Sequence, residues 1–281
     1  MKSGYTENDQ WVFFDIGPYG SSGHAHLDKL HLDVRAYGSM MLVDSGRFAY
    51  QGTGSIFHSK YAPTTRAHNT LVIDNCDQAA APALATGPVD PFTYAITDAY
   101  DYARSSMSLW NNLKGNATHT RAVHFLKGHW LVVVDKVSTN RPRFIQAVWH
   151  AHPNSTVVVI DVHLGVAVVT GVPRGQIAII PASGSLWNLS VVKGQQPPEY
   201  PYFQGWFSAS YLDCEPSPTL LYDTNIPDGD SIFAWLLLPS PIATQGPVHA
   251  ALDIVEKDTK SVTVKVKIQG QPDTIQKIAL A

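Results

Sequence analysis

Residues 30–37 read Leu-His-Leu-Asp-Val-Arg-Ala-Tyr, and this stretch decides the fold class. Every second side chain is apolar, which is the pattern of a β-strand with one buried and one exposed face. Residues 262–268, Val-Thr-Val-Lys-Val-Lys-Ile, repeat the same alternation near the other end of the chain. The pattern therefore predicts β-structure along most of the sequence.

Further strands are predicted from apolar, β-branched runs that glycine and proline separate. These runs cover residues 130–137, 144–150, 156–163, 166–170, 177–180 and 232–238. No segment has an apolar stripe of helical period over three turns, and the best helical candidate is the short piece 55–61. The sequence therefore predicts an all-β protein with a large, antiparallel, multi-stranded β-sandwich, and it argues against a parallel α/β sheet.

One loop suggests how the chain is organised. Residues 79–91, rich in alanine and proline, separate residues 1–78, which hold the polar motifs, from residues 92–281. We interpret residues 1–78 as the site-bearing strands and residues 92–281 as the remainder of the sandwich. A length of 281 residues allows both parts to form one structural domain, 1–281.

The composition excludes two classes of partner. The chain has 20 Lys and Arg against 23 Asp and Glu, so its net charge is −3. A protein that neutralises nucleic-acid phosphates needs a basic excess, and no nucleic-acid partner is expected. No run of 18 or more apolar residues is present, so no membrane-spanning helix is predicted. Cys76 and Cys214 form either one disulfide or two free thiols.

The polar motifs contain the residue types of a metal site. His24 and His26 are two positions apart, so in extended backbone both imidazoles face one side, about 7 Å apart. Asp44 follows an apolar run, and His68 precedes the apolar residues 70–73. If these segments converge, they supply the two imidazoles and one carboxylate that zinc favours. The residues alone leave open that these histidines are surface groups or hydrogen-bonded core residues.

The order of these motifs resembles the C-terminal part of the heparinase II/III-like polysaccharide lyases, a family that includes alginate and oligoalginate lyases. The matching segments are Gly17 to Gly20, Gly23 to Leu30, Leu42 to Gly46, Tyr50, and Arg66 to Asp74 with Asp77 and Gln78. Later matches are Arg121 to His124, Val134-Asp135, Trp149-His150, and Gly205 to Ser208 with Tyr211. The resemblance implies the family's C-terminal β-sandwich. The helical toroid that precedes it in the family is absent from this sequence.

The resemblance also implies a zinc site beside a cleft. Family members bind a structural zinc through a His, an Asp and a His, and these positions correspond to His26, Asp44 and His68. His24 corresponds to the family's catalytic or substrate-contacting histidine, and an unperturbed imidazole pKa of about 6.5 suits a general base. Asp28 is expected to hydrogen-bond to a ligating imidazole and so to orient it.

Four other side chains are assigned to substrate binding. Arg66 and Tyr50 match family positions near the cleft, where a guanidinium can pair with a uronate carboxylate through two hydrogen bonds. Trp110, beside two asparagines, and Trp206, after a glycine, are the tryptophans best placed to stack on sugar rings.

The implied reaction is β-elimination at a uronate of an acidic polysaccharide such as a glycosaminoglycan or alginate, in which a base removes the C5 proton. In the family a toroid tyrosine completes the catalytic set, so this chain is expected to be incomplete without a toroid. The family also implies secretion or a periplasmic location. Two alternatives stay open. One is a non-catalytic, carbohydrate-binding or structural sandwich that keeps the zinc; the other is a zinc hydrolase of another class, although no H-E-x-x-H motif is present.

Overall fold

The structure, a computed structural model, describes residues 1–19, 25–50, 55–80, 88–242 and 249–281. Up to residue 107 its elements are β1 (Trp11–Phe14), β2 (Leu32–Ala36), β3 (Ser39–Leu42), α1 (Ile56–Lys60), β4 (Leu71–Ile73), β5 (Tyr94–Ile96) and β6 (Tyr100–Met107). Single 3-10 turns lie at Thr65–Ala67 and Pro91–Thr93.

The remaining elements are all strands. They are β7 (Ala117–Leu126), β8 (Trp130–Thr139), β9 (Arg143–His150), β10 (Thr156–Asp161), β11 (Val166–Thr170), β12 (Gly175–Pro181), β13 (Asn188–Val192), β14 (Trp206–Ser210), β15 (Asp213–Pro216), β16 (Thr219–Ile226), β17 (Gly229–Pro241), β18 (Ala250–Lys257), β19 (Ser261–Ile268) and β20 (Thr274–Ala279).

The strands form five antiparallel sheets. The largest has eight strands in the order β10-β11-β12-β17-β8-β7-β6-β5. A four-stranded sheet has the order β13-β16-β9-β4, and β1-β2-β3 and β18-β19-β20 form two three-stranded sheets. The hairpin β14-β15 stands apart from these four sheets. A bridge between Leu42 and Ala151 joins the end of β3 to the segment after β9. The sheet β1-β2-β3 and the four-stranded sheet are therefore neighbours in one layer.

Two apolar cores hold three layers together. The first core packs the eight-stranded sheet against the layer formed by the sheet β1-β2-β3 and the four-stranded sheet. In it, the rings of Trp149 and Trp235 meet edge to face at 5.8 Å. The second core lies on the other face of the eight-stranded sheet, where Val132 and Val134 pack with Val264 of the C-terminal sheet. The eight-stranded sheet is therefore covered on both faces.

This layering explains the two kinds of strand pattern in the sequence. In β8, Val133 belongs to the first core and its neighbours Val132 and Val134 belong to the second, so the strand is a continuous apolar run. In β19, Val262, Val264 and Val266 are buried, whereas the residues between them are not, so the strand alternates.

The prediction of an all-β, antiparallel β-sandwich is confirmed. The predicted helical piece 55–61 contains α1, whose N-terminus is capped by the Ser55 hydroxyl accepting from the His58 N–H. Cys76 and Cys214 are both free thiols. Of the predicted loop 79–91, residues 81–87 lie outside the described residues. No helix in the described part of the chain is long and apolar enough to cross a membrane.

Candidate metal centre and cleft

Three side chains with metal-binding atoms come together from three separate segments. His26 lies between β1 and β2, Asp44 lies just after β3, and His68 lies between the 3-10 turn Thr65–Ala67 and β4. Their donor atoms all lie within 4.8 Å of one another. Nε2 of His68 is 3.1 Å from Nδ1 of His26 and 3.4 Å from Oδ2 of Asp44. The structure therefore brings together the three residues that the sequence predicts as zinc ligands.

The spacing of these atoms fits a tetrahedral metal. Zinc bonds of about 2.0–2.1 Å place two ligand atoms about 3.3–3.4 Å apart at the tetrahedral angle. The two short separations at His68 are close to that value. Nδ1 of His68 lies 2.8 Å from the Thr64 carbonyl oxygen, which can only accept, so Nδ1 carries the proton. The lone pair of Nε2 is therefore directed at the cluster.

The charges at the cluster also suit a cation. Burial lowers the pKa of His26, and the neighbouring His68 lowers it further, so the His26 imidazole is neutral at pH 7. The pKa of the Asp44 carboxyl is lowered despite its burial, and the hydrogen bond from the Gly46 N–H to Oδ1 at 2.6 Å favours the ionised form. Neutral imidazoles and an ionised carboxylate are the forms that bind a divalent metal.

A third histidine, His31, lies against this cluster and was not singled out from the sequence. Its Nδ1 accepts the Asn69 N–H at 2.8 Å, so Nε2 carries the proton and lies 2.9 Å from Oδ1 of Asp33 and 3.6 Å from Oδ2 of Asp44. Because Nδ1 accepts a hydrogen bond, the His31 ring is neutral, and its Nε2–H is directed at the carboxylates of Asp33 and Asp44. The only signal in the sequence was its place in the alternating stretch 30–37.

The predicted role of Asp28 has no direct contact to support it. Among the described residues, no hydrogen bond joins the Asp28 carboxylate to an imidazole; its backbone carbonyl accepts the His31 N–H at 2.9 Å. The hydrogen bonds that orient the imidazoles of His31 and His68 come instead from Asp33, Asn69 and Thr64. Nε2 of His26 is buried without a partner in the described part of the chain.

The predicted catalytic residue, His24, lies outside the described residues. The neighbouring Ala25 is described, and it lines a cavity of about 270 Å³. That cavity is also lined by Tyr19, Leu27, Arg47, His58, Ser59, Pro63, Thr64 and Asp77. The H-x-H motif is thus adjacent to a polar cavity, and the role of His24 stays a prediction.

Arg66 and Tyr50, predicted to contact the uronate carboxylate and the sugar, differ in how exposed their side chains are. The Arg66 side chain is 8% exposed, and its guanidinium lies 3.8 Å over the ring of Tyr202. Its Nη1 has no hydrogen-bond partner in the described ranges, so one donor remains for a ligand, but little of the side chain is accessible. Tyr50 is half exposed, and the Arg47 guanidinium lies 4.5 Å over its ring.

The two predicted tryptophans both donate their indole N–H to backbone carbonyls. Trp110 donates to Ala117 at 3.0 Å and packs against the first core. Trp206 donates to Gln195 at 3.0 Å, and its ring meets Phe57 edge to face at 5.9 Å. These contacts favour a packing role for Trp110, and stacking of either ring on sugar stays a prediction.

A buried polar residue, Asn69, fastens the segments behind the metal cluster. Its side-chain amide donates to the Leu32 carbonyl at 2.8 Å and to the Val43 carbonyl at 3.1 Å. Its backbone carbonyl accepts from Nη1 of Arg121 at 2.6 Å. Asn69 directly follows His68, so these hydrogen bonds tie the His68 segment to β2, to the end of β3 and to the eight-stranded sheet. The sequence offered one signal for it, its position in the motif Arg66 to Asp74.

Comparison with known families matches this chain over most of its length. The profile described as "Heparinase II/III-like, C-terminal" matches residues 2–219. A comparison with curated proteins finds no match.

Solved structures of a heparan sulfate lyase and of a heparinase III have a similar fold. Heparan sulfate lyase HepC from Pedobacter heparinus has a TM-score of 0.79 at 18% identity, with 99% of this chain and 40% of that chain covered. A heparinase III has a TM-score of 0.75 at 14% identity, with 100% of this chain and 41% of that chain covered. At these identities the likeness shows the fold. This chain spans about 40% of the length of the enzymes that it matches.

Proposed function

The chain belongs to the heparinase II/III-like C-terminal family, and from that premise we propose that it is the sandwich part of a lyase that cleaves uronate-containing acidic polysaccharide by β-elimination. The observation that carries the proposal is the cluster of His26, Asp44 and His68, in which His26 belongs to the H-x-H motif. The solved enzymes of the same fold, named as a heparan sulfate lyase and a heparinase, support this substrate class.

We assign a zinc ion to His26, Asp44 and His68. When bound, zinc would crosslink three segments and fix the backbone that carries His24. Elimination needs no activated water, so the proposed role of the zinc is structural. Asp44 supplies the negative charge of the proposed ligand set. Thr64 and Asn69 each form a hydrogen bond to one ring nitrogen of His68 and His31, respectively, and so orient these imidazoles.

His24 is the proposed base for the C5 proton. The proton becomes more acidic when the uronate carboxylate is paired with a cation, because the developing negative charge is then stabilised. Among the described residues, Arg47 lines the cavity next to Ala25, and Arg66 lies stacked on Tyr202. A proton donor for the leaving oxygen completes the reaction, and we expect a partner toroid to supply it. We further propose that the protein acts outside the cytoplasm, where such polysaccharides occur.

Metal analysis and an elimination assay test the proposal together. Elemental analysis of the purified chain is expected to find stoichiometric zinc, which His26→Ala and His68→Ala remove. Mixed with a toroid domain of a related lyase, the chain is expected to release unsaturated uronate from heparan sulfate or alginate, detected by ultraviolet absorbance.

Three results would contradict parts of this proposal. Zinc retained in both histidine variants would remove the ligand assignment. Products without the unsaturated uronate would indicate hydrolysis and overturn the reaction type. Zinc and polysaccharide binding, with no elimination even beside a toroid, would identify a carbohydrate-binding sandwich in place of a lyase.

A further inference from the structure

The segment that follows the metal ligand Asp44 is fastened to the hairpin β14–β15. The Ser208 N–H donates to the Ser45 carbonyl at 2.9 Å, and the Leu212 N–H donates to the Phe48 carbonyl at 2.7 Å. Between these two hydrogen bonds, Gly46 has a φ of +77°, and a Cβ there would lie 2.2 Å from the carbonyl oxygen of Ser208. The contact is too close for any other residue, so the segment is held tightly against the hairpin.

This contact places one cation and two tyrosines around a small cavity. Its volume is about 300 Å³, the lower end of the range for small-molecule sites. The rings of Tyr50 and Tyr211 are 5.7 Å apart, and the two side chains are 50% and 58% exposed. Arg47 lies over the Tyr50 ring. The cavity is lined by Arg47, Phe48, Tyr50, Ser208, Ala209, Ser210 and Tyr211.

Arg47 also connects this cavity to the metal centre. It lines the second cavity, which contains Ala25 of the H-x-H motif. The Gly46 N–H, directly before Arg47, donates to Oδ1 of Asp44 at 2.6 Å. A ligand in contact with Arg47 is therefore adjacent to both the tyrosine pair and the segment of the proposed base.

The chemistry of this set suits one unit of an acidic sugar. Tyrosine rings present flat apolar faces with a hydroxyl at the edge, which match the apolar face and hydroxyl rim of a pyranose. A guanidinium binds carboxylate or sulfate through two parallel hydrogen bonds. The three side chains offer these contacts at one place with the backbone of both segments already fixed.

We propose that Arg47, Tyr50 and Tyr211 form a subsite for one uronate unit of the polysaccharide, with Arg47 on the carboxylate or sulfate and the tyrosines on the ring. Tyr50 was assigned to substrate from the sequence; Arg47 and Tyr211, 164 positions apart in the printed sequence, are new here. The inference rests on the proposed function for its substrate class.

Calorimetric titration of the full chain with heparan sulfate and alginate hexasaccharides tests the subsite. Arg47→Gln and Tyr211→Ala are each expected to raise Kd about tenfold, since each variant loses a charge-assisted contact or a ring contact with the sugar. Arg47→Lys keeps the charge but loses the planar fork, so its Kd is expected to lie between wild type and Arg47→Gln. Neutral maltohexaose is expected not to bind.

The chain offers a matched control at Lys2 and Tyr5, where the Lys2 ammonium lies 3.7 Å over an exposed tyrosine ring. Tyr5→Ala is expected to bind like wild type; if it loses affinity while Tyr211→Ala does not, the sugar binds near Tyr5 and the subsite is wrong. Zinc content must stay unchanged in Arg47→Gln and Tyr211→Ala, with unchanged circular dichroism. If the wild-type chain binds neither acidic hexasaccharide, the proposed function fails together with the subsite. If the wild-type chain binds them and Arg47→Gln and Tyr211→Ala bind equally well, only the subsite fails.

Discussion

The side-chain oxygen of Asn69 accepts two hydrogen bonds from His150, one from its backbone N–H at 2.6 Å and one from its ring Nδ1 at 3.0 Å. The His150 Nε2 is therefore unprotonated, and it lies 3.1 Å from the Gln204 amide nitrogen and 3.3 Å from the Tyr61 hydroxyl. Burial lowers the pKa of His150 to about 3, which agrees with a neutral ring. Asn69 and His150 form a buried polar network next to the cluster of His26, Asp44 and His68.

Asn69→Ala is expected to destabilise the fold by about 3 kcal/mol or more, because buried carbonyl and N–H groups lose their partners. Urea unfolding measures the change. Asn188→Ala, at an exposed position in β13, is the control and is expected to change stability by less than about 0.5 kcal/mol. Equal stability of the two variants would show that the Asn69 contacts contribute nothing.

Gly46→Ala tests the contact with Ser208. The new Cβ combines left-handed backbone with a clash, whereas Gly128→Ala, at a φ of +78° with nothing within 4 Å, introduces the backbone cost alone. We expect Gly128→Ala to cost about 1–2 kcal/mol. Gly46→Ala is expected to cost at least about 2 kcal/mol more, from overpacking. Similar unfolding midpoints for the two variants would contradict the tight contact between segment 45–48 and the hairpin.

Asp135→Asn tests the ion pair inside the first core. Asp135 is fully buried; Arg121 contacts it at 2.7 and 3.1 Å, and Nε2 of His119 lies 2.7 Å away. Removing the charge leaves Arg121 buried without its partner and is expected to cost about 3–5 kcal/mol. Asp230→Asn breaks a more exposed pair with Lys136 and is expected to cost less than about 1 kcal/mol. Chemical denaturation of both variants gives the comparison.

The same carboxyl predicts loss of stability in acid. Burial alone would raise the pKa of Asp135, but Arg121 and His119 outweigh burial and lower it well below its usual 3.8. The stabilisation is complete above pH 3.8 and is lost as the pH falls below that value. Wild type is therefore expected to lose stability relative to Asp135→Asn below this pH. A stability difference between the two that does not shrink would contradict the assignment.

His124 gives a second pH dependence, at milder acidity. It is 3% exposed and stacks on Tyr100 at 4.9 Å, and burial lowers its pKa from 6.5 to about 4. Between these values the unfolded chain binds a proton that the folded chain does not, so stability falls as the pH drops through this window. The loss is at most about 3 kcal/mol. His124→Gln is expected to show a shallower slope in urea unfolding from pH 7.5 to 5; an identical slope would contradict the prediction.

Metal removal tests the ligand set through stability. A ligand at one hundred times its Kd stabilises the folded state by about 2.7 kcal/mol, so zinc is expected to raise Tm and a chelator to reverse it. His26→Ala is expected to lose this response. His58→Ala is the control, because its imidazole lies 3.4 Å from the Arg47 carbonyl, outside the three-residue cluster. A zinc shift that survives in His26→Ala would remove His26 from the ligand set.

Local sequence patterns were sufficient to predict the fold class, because period-two alternation and doubly buried runs are properties of single strands. The alternation at 262–268 became β19, and the run 232–238 lies within β17. Strand β7 was harder to predict, since His119 and Arg121 occupy core positions that only their pairing with Asp135 makes tolerable. A local sequence pattern does not show which polar groups on distant strands will form hydrogen bonds with each other.

The metal cluster was predicted from residue types and from family resemblance, and the structure brings those three residues together. The support around them was not predicted. His31, Asn69 and His150 belong to different strands or loops, and their roles depend on which groups face each other after folding. The juxtaposition of Arg47 and Tyr211 likewise depends on the packing of segment 45–48 against the distant hairpin β14–β15.

Arg121 has a consequence for the order of events during synthesis. Its Nη1 donates to the carbonyls of Leu30 and Asn69, and its partner Asp135 in turn accepts from the indole of Trp235. The segments next to His26 and His68 therefore receive their support from residues translated later. A nascent chain that ends before β17 contains Arg121 and Asp135 but lacks the Trp235 indole, so this hydrogen-bond network is complete only after most of the chain has been translated.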